Sequence, residues 1–291
     1  MCANCALRLR PWRESAIPAA GIFTRIAAPA PSQPPPIPPT AEVLGVPLAV
    51  SDYGRVLDWI AAAIGAGART YLTAAAVNLV MSAQEDPQTR AAVLGATLVV
   101  PDGQPLVWAL RALGHPSATR VYGPDLMALA CERAASSGTS IFLYGGRTPE
   151  ALALLERRLG ERFPGLRIAG RYWPPFREPT PAEDEDVIAA INSSGAAVVW
   201  VGTGQPKQEK WMLRMRPRLA APVLAGVGAA FDFHAGLVAQ APPWMQRAGL
   251  EWSYRLVREP RRLWRRYARY NPLFIAGFSR QYLRHLRDRR R

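Results

Sequence analysis

The residues of this sequence that could do chemistry gather where apolar runs stop. Pro101-Asp102-Gly103 follows the run 96–100, so a carboxylate stands at the sharp corner where a buried strand would end. Partial desolvation there raises a carboxyl group's proton affinity and suits it to accept a proton. Asp-Gly is also a common turn pair, so position alone leaves a turn or helix-capping role for Asp102 open. Gly145-Gly146-Arg147-Thr148-Pro149 joins a second apolar run to a helical pattern. Glycine permits close backbone approach and a helix N-terminus offers amides to an anion, although an ordinary tight turn uses the same residues. Gly202-Thr203-Gly204-Gln205-Pro206-Lys207-Gln208-Glu209 starts like a dinucleotide fingerprint. Lys207 takes the third glycine position and Pro206 interrupts the turn, which argues against a nicotinamide cofactor. The loop instead groups a cation, an amide and a carboxylate, a set able to pair with phosphate and to hydrogen-bond a base or sugar; plain surface charge is the alternative. His115, His234 and His285 show neither HxH nor HExxH spacing, so no metal site is expected. No serine occupies a GxSxG elbow.

These corners need strands to carry them. Apolar runs at 43–50, 71–73, 96–100, 140–144, 166–169, 196–201 and 222–227 read as strands, and helical spacing appears at 53–64, 77–83 and 149–159. Continuously apolar strands alternating with amphipathic helices predict an α/β fold, a mostly parallel Rossmann-like sheet with helices on both faces. Ligands of such sheets bind beyond the carboxyl ends of the strands, where Asp102-Gly103, Gly145-Gly146 and the 202–209 loop would converge. The acidic cluster 183–186 follows Pro181 and fits the first turn of a helix, with no catalytic role.

The ends of the chain differ from its middle. Residues 1–41 carry a proline-rich stretch and are read as a disordered leader or an over-extended start of the reading frame. Cys2 and Cys5 form a lone CxxC there, best read as chance, and three cysteines make no disulfide framework. No secretory signal and no apolar run of about 18–20 residues is present, so a cytosolic chain is expected. Of the formal charge of +14, residues 247–291 hold most: fourteen arginines against Glu251, Glu259 and Asp288 leave +11. Interleaved with Trp252, Tyr254, Trp264, Tyr267, Tyr270, Phe274, Phe278 and Tyr282, and punctuated by Pro260 and Pro272, these arginines make 244–291 a distinct helical appendage to a core at 42–243. Such a segment suits an anionic membrane surface, rings inward and guanidinium groups toward headgroups. Its removal is expected to leave the core folded. Charge alone would also admit nucleic acid, and a basic nucleotide- or nucleic-acid-binding α/β protein without transferase activity is the rival reading.

An ordered series of motifs adds a resemblance. Pro101-Asp102-Gly103, Val121-Tyr122-Gly123-Pro124-Asp125-Leu126, Tyr144-Gly145-Gly146, Gly204-Gln205-Pro206-Lys207-Gln208-Glu209, Gly226-Val227-Gly228-Ala229-Ala230-Phe231-Asp232, Ala241-Pro242-Pro243-Trp244, Glu251-Trp252-Ser253-Tyr254-Arg255 and Glu259-Pro260-Arg261-Arg262 occur in that order. The stretch 43–270 resembles the WecG/TagA/CpsF family of bacterial glycosyltransferases. The resemblance implies inverting transfer of a hexose or N-acetylhexosamine from a UDP-sugar to a polyprenyl-diphosphate-linked saccharide, with no cofactor and no required metal. It implies a general base at Asp102, arginines Arg255, Arg262 and Arg265 closing over the donor's diphosphate, and nucleotide contacts from Lys207, Gln208, Glu209 and Asp232. The appendage corresponds to the family's membrane-contacting part, which implies a peripheral protein at the inner face of the plasma membrane. Thr73 matches the family's Thr-x-Asn turn, but Ala75 stands where its asparagine is expected, which implies either that Asn78 substitutes from a shifted place or that the acceptor contacts differ. A homo-oligomer is compatible with the sequence, and nucleic acid is not an expected partner.

Overall fold

The computed structural model describes residues 35–290 other than Phe176. The Cys2/Cys5 pair and most of the leader expected over 1–41 lie outside the described residues. The described chain begins with a hairpin, β1 (Thr40–Val43) and β2 (Val46–Ala49), where a single strand over 43–50 is expected. Leu44 and Gly45 both take positive φ, 49° and 73°, which makes the tight two-residue loop that reverses the chain. Leucine rarely adopts that conformation, so the turn carries no clear sequence signal.

After the hairpin come α1 (Tyr53–Gly65), β3 (Thr70–Ala75), α2 (Val77–Glu85), α3 (Pro87–Leu94), β4 (Leu98–Pro101), α4 (Gln104–Ala112) and α5 (Gly123–Ser137). Next are β5 (Ser140–Gly145), α6 (Pro149–Arg162), β6 (Arg167–Tyr172), α7 (Pro181–Ser194), β7 (Val198–Gly202), α8 (Lys207–Met215), β8 (Val223–Gly226) and α9 (Ala230–His234). Strands β3 to β8 form one sheet in the order β4-β3-β8-β7-β5-β6, parallel at every pairing. The fold is therefore the α/β parallel sheet that the apolar runs predict.

Period-two alternation divides the side chains between the two faces. Leu72, Trp200 and Leu143 pack with residues of α1, α5 and α6 on one side. Tyr71, Val199 and Val201 pack with α7 and α8 on the other. Both faces being covered, the central strands are buried along their whole length, which is why they read as unbroken apolar runs. Helix starts follow local chemistry. Asp52 caps α1 through the Arg55 amide at 3.0 Å, and Thr180 with Glu183 forms a reciprocal capping box at α7, whose first turn holds the acidic cluster.

The C-terminal segment folds as α10 (Pro243–Arg247), α11 (Glu251–Arg258) and α12 (Pro260–Asp288). Pro260 opens α12, but Pro272 lies inside it and the helix continues. Phe274 is 6% exposed within a core cluster shared with β1, β2, α2 and α4, and Tyr270 and Phe278 pack against that cluster. This packing on both sides of Pro272 holds the helix together across the one backbone bond that proline cannot donate. Part of the aromatic stripe expected at a membrane is thus spent on the protein's own core. Among the described residues no helix is long and apolar enough to cross a membrane.

Candidate functional site

The carboxyl ends of β3, β4, β5, β7 and β8 open into one cleft of about 1090 Å³. Asp102, Asn78, Gly146, Lys207, Asp232, Arg255 and Arg262 all line it, so seven of the residues singled out in the sequence meet in one place. The cleft walls include eight lysines and arginines against three acids, a field suited to an anionic ligand.

Asp102 stands just past β4. Its Oδ1 accepts the Gly123 amide at 2.6 Å, which fixes the carboxylate against the start of α5. Oδ2 accepts no hydrogen bond among the described residues, so an edge of the carboxylate remains for a proton. Burial pushes the group up to about 6 against the opposing pull of Arg120, with Glu251 adding to the rise. Arg120 donates to the Asp102 carbonyl oxygen at 2.5 Å and to Glu251 Oε2 at 2.5 Å, and Tyr122 donates to Glu251 Oε1 at 3.1 Å. The helices α10 and α11 are therefore tied directly to the strand end that carries Asp102.

Around the cleft, most of the basic side chains already have an anion. Lys210 pairs with Asp86, Arg214 with Asp184 and Arg177 with Glu183. Arg147 joins Asp232 at 2.9 Å to Glu259 at 3.1 Å, and Arg262 also pairs with Glu259. Among the described residues Lys207, Arg255 and Arg266 form no ion pair. Burial, with Arg255 and Arg262 close by, holds the Arg266 guanidinium below its ordinary value. Arg255 and Arg266, crowded together with no ion pair, repel, and a bound anion would relieve that repulsion. Arg265, expected in this group, is instead exposed over the ring of Trp264 at 5.4 Å and does not line the cleft, whereas Arg266 does.

Four other expected contacts sit behind the walls. Thr73, Gln208 and Glu209 are fully buried. Thr73 Oγ1 donates to Glu209 Oε1 at 2.6 Å, Gln208 Nε2 donates to the same oxygen at 2.8 Å, and the Gly228 amide donates to Gln208 Oε1 at 3.0 Å. This chain of bonds locks α8 to β3 and to the turn after β8. Burial raises Glu209 to about 7. Gly145, at φ 133°, packs against Gly202, whose backbone carbon lies 2.6 Å from where a Cβ would stand. Its job is to let β5 and β7 end side by side, and Gly146 is the member of the pair that reaches the cleft. At the start of α6 the Thr148 hydroxyl accepts the Ala151 amide, so part of that helix's anion-binding capacity is already used.

Asn78 enters the cleft from the first turn of α2 and donates to Gln205 Oε1 at 3.2 Å, while Gln205 Nε2 donates to the Ala74 carbonyl at 2.5 Å. Ala75 is buried at the end of β3. Arg120, Tyr122, Arg147, Gln205 and Arg266 are the participants that the sequence alone did not single out as site residues. Tyr122 and Gln205 lay inside quoted motifs, and Arg120 immediately precedes one. Among the described residues no group of three or more histidine, cysteine or acidic side chains could hold a metal ion.

The cleft at the carboxyl edge of the parallel sheet thus sets a carboxylate of raised proton affinity beside arginines carried by the C-terminal helices, an arrangement suited to an anionic ligand. The family model described as glycosyl transferase WecG/TagA/CpsF family matches residues 41–288, and the chain belongs to that family of glycosyltransferases.

Proposed function

We propose that this glycosyltransferase moves a hexose or N-acetylhexosamine from a UDP-sugar to a polyprenyl-diphosphate-linked saccharide, with inversion, at the cytoplasmic face of a membrane. The observation that carries the reading is the shared cleft: Asp102 with its raised proton affinity faces a space also lined by Arg255, Arg262 and Arg266. Asp102 Oδ2 takes the proton of an acceptor hydroxyl as that oxygen bonds to the anomeric carbon. The bond from that carbon to the diphosphate oxygen breaks, and UDP departs with the electron pair. One displacement from the face opposite the leaving group inverts the centre, the stereochemical logic of inverting glycoside chemistry. The three arginines meet the charge that grows on the departing diphosphate, so this route asks no metal ion to do so. Lys207 and Arg147 are near enough to the same space to hold the nucleotide, with Asp232 exchanging Arg147 for a ligand hydroxyl. The arginine- and tryptophan-bearing helices α11 and α12 meet the lipid surface on which the acceptor is anchored.

The test is Asp102→Asn with purified protein, a panel of UDP-sugars and short polyprenyl-diphosphate glycans, reading UDP release and UDP affinity separately. UDP affinity is expected to stay near wild type, while turnover falls by about 10²–10⁴-fold, the usual contribution of a positioned base. Turnover at the wild-type rate would remove Asp102 from the mechanism.

A further inference from the structure

Arg120 precedes α5 and touches both the core and the C-terminal helices. Its Nε donates to the main-chain oxygen of Asp102, its Nη2 to Glu251 at the first position of α11, and its Nη1 to Gln246 of α10 at 3.4 Å. The guanidinium lies 4.1 Å over the ring of Tyr122, whose hydroxyl holds the other oxygen of Glu251. Side chains of Arg120 and Glu251 are only 15% and 14% exposed, so solvent screens this pair weakly.

The cation held by Glu251 is therefore anchored on the residue whose carboxylate must stay free. The groups facing that carboxylate can be named element by element. Arg120 and Tyr122 come from the segment before α5, the Gly123 amide from the start of α5, and Glu251 and Arg255 from α11. The end of β3 and the start of α2 bring Ala74, Ala76 and Asn78 to the cleft that Asp102 lines, none of them charged. If α11 lifts away, Glu251 and Arg255 leave together, and Arg120 is the one charged member of the set that remains beside Asp102.

We propose that Arg120 is a positioning residue that reports the docking of α10 and α11 to Asp102: seated, Glu251 occupies the guanidinium and leaves the Asp102 carboxylate unpaired; unseated, the guanidinium pairs with Asp102 and silences it as a base. The inference rests on the reading of Asp102 as the proton acceptor. Such an arrangement keeps the base quiet until the arginine wall is closed, when water has been excluded and the donor cannot be wasted on hydrolysis.

The experiment is a pH titration of the Asp102 carboxyl carbon by NMR in the full-length chain labelled at aspartate, the signal being assigned by its loss in Asp102→Asn. No ligand is needed. Glu251→Gln is expected to lower the Asp102 midpoint by about one pH unit, because it removes a charge that raises Asp102 and frees a cation beside it, and both favour the charged form. The same replacement in an Arg120→Gln background is expected to lower the midpoint by clearly less, because no cation is there to be freed. Tyr122→Phe, which removes only the hydroxyl that steadies Glu251, is expected to move it the same way as Glu251→Gln by a smaller amount, and serves if Glu251→Gln fails to fold. An unmoved midpoint in Glu251→Gln overturns the proposal. So does a fall of the same size in the Arg120→Gln background, since loss of the Glu251 charge alone would then be the cause. An active Asp102→Asn would sink the base itself, whereas an inactive one with an unmoved midpoint in Glu251→Gln sinks this inference alone.

Discussion

Asp102 and Glu209 are both carboxylates raised by burial, and their surroundings give them different work. Asp102 keeps an open edge on the cleft, so its titration should appear in catalysis. With the group pushed up to about 6, kcat/KM is expected to climb as pH rises through that value and to level off above it, since only the ionised form accepts a proton. A pH-rate profile on any accepted UDP-sugar checks this, and a flat profile between pH 5 and 7 would count against the base. Glu209 has no access to the cleft, so its titration should appear in stability. Its folded value, about 7, lies above the ordinary 4.5, so the stabilisation tied to its proton is complete below that ordinary value and is lost as pH rises through 7. Glu209→Gln, which stays neutral, is expected to gain on wild type in thermal midpoint between pH 5 and pH 8 while leaving UDP affinity near wild type. Equal shifts at both pH values would show that Glu209 is not protonated in the fold. At this scale the sequence told the two apart poorly. A carboxylate after a strand's last apolar residue can be read as lying at the ligand edge, and Asp102 does. Nothing in Gln-Pro-Lys-Gln-Glu says that α8 turns its second and third residues inward to brace β3 while its first, Lys207, stays in the cleft. The same ambiguity separates Arg265 from Arg266: adjacent helix positions lie about 100° apart, and only packing decides which one faces the ligand.

The elements were legible wherever burial was two-sided. Five strands of the parallel sheet, β3, β4, β5, β7 and β8, appear as apolar runs because both their faces are covered, whereas β6 is a half-exposed edge strand that carries two arginines. The hairpin at the start was not, because its loop uses Leu44 where a glycine or asparagine would have signalled a turn. The C-terminal helices are legible as helices, but their spacing does not say that part of α12 packs into the core. An aromatic stripe on a basic helix fits a bilayer or a protein core equally well, and α12 takes Phe274 into the core cluster beside Val43, Leu48 and Leu79. Cutting the chain near residue 245 would therefore strip a covering from β1, β2 and α2 rather than leave the core intact. Phe274→Ala is expected to cost roughly 3 kcal/mol in a urea unfolding series, the usual loss for a buried phenylalanine. A loss under about 0.5 kcal/mol, the scale of an exposed substitution, would mean that α12 contributes little to the fold.

At the scale of the whole molecule the question is what the basic end of the chain meets. Its net +11 calls for an anionic partner, and charge alone does not choose between lipid and nucleic acid. The exposed apolar side chains favour the proposed lipid surface. Although Phe274 is consumed by the core, Trp252, Val257, Trp264, Ile275 and Leu283 are left exposed among the arginines, Val257 to 80% and Trp264 to 51%. Phosphates of a duplex gain nothing from such groups, whereas a bilayer interface takes up rings and aliphatic side chains between its headgroups. The protein is expected to float with vesicles containing phosphatidylglycerol and to stay behind with neutral phosphatidylcholine vesicles, each neutralised arginine adding about 1 kcal/mol on the anionic surface. Raising salt well above physiological strength should weaken the association steeply, because screening removes the charge contribution that neutral vesicles also lack. The paired change Val257→Ser and Trp264→Ser then separates the partners: vesicle affinity is expected to drop by about tenfold, the equivalent of some 50 Å² of apolar surface kept in water, while any residual binding to duplex DNA stays where it was. Vesicle binding that ignored the two side chains, together with DNA binding that fell steeply with salt, would turn the basic helices from a lipid-facing surface into a polyanion-binding one.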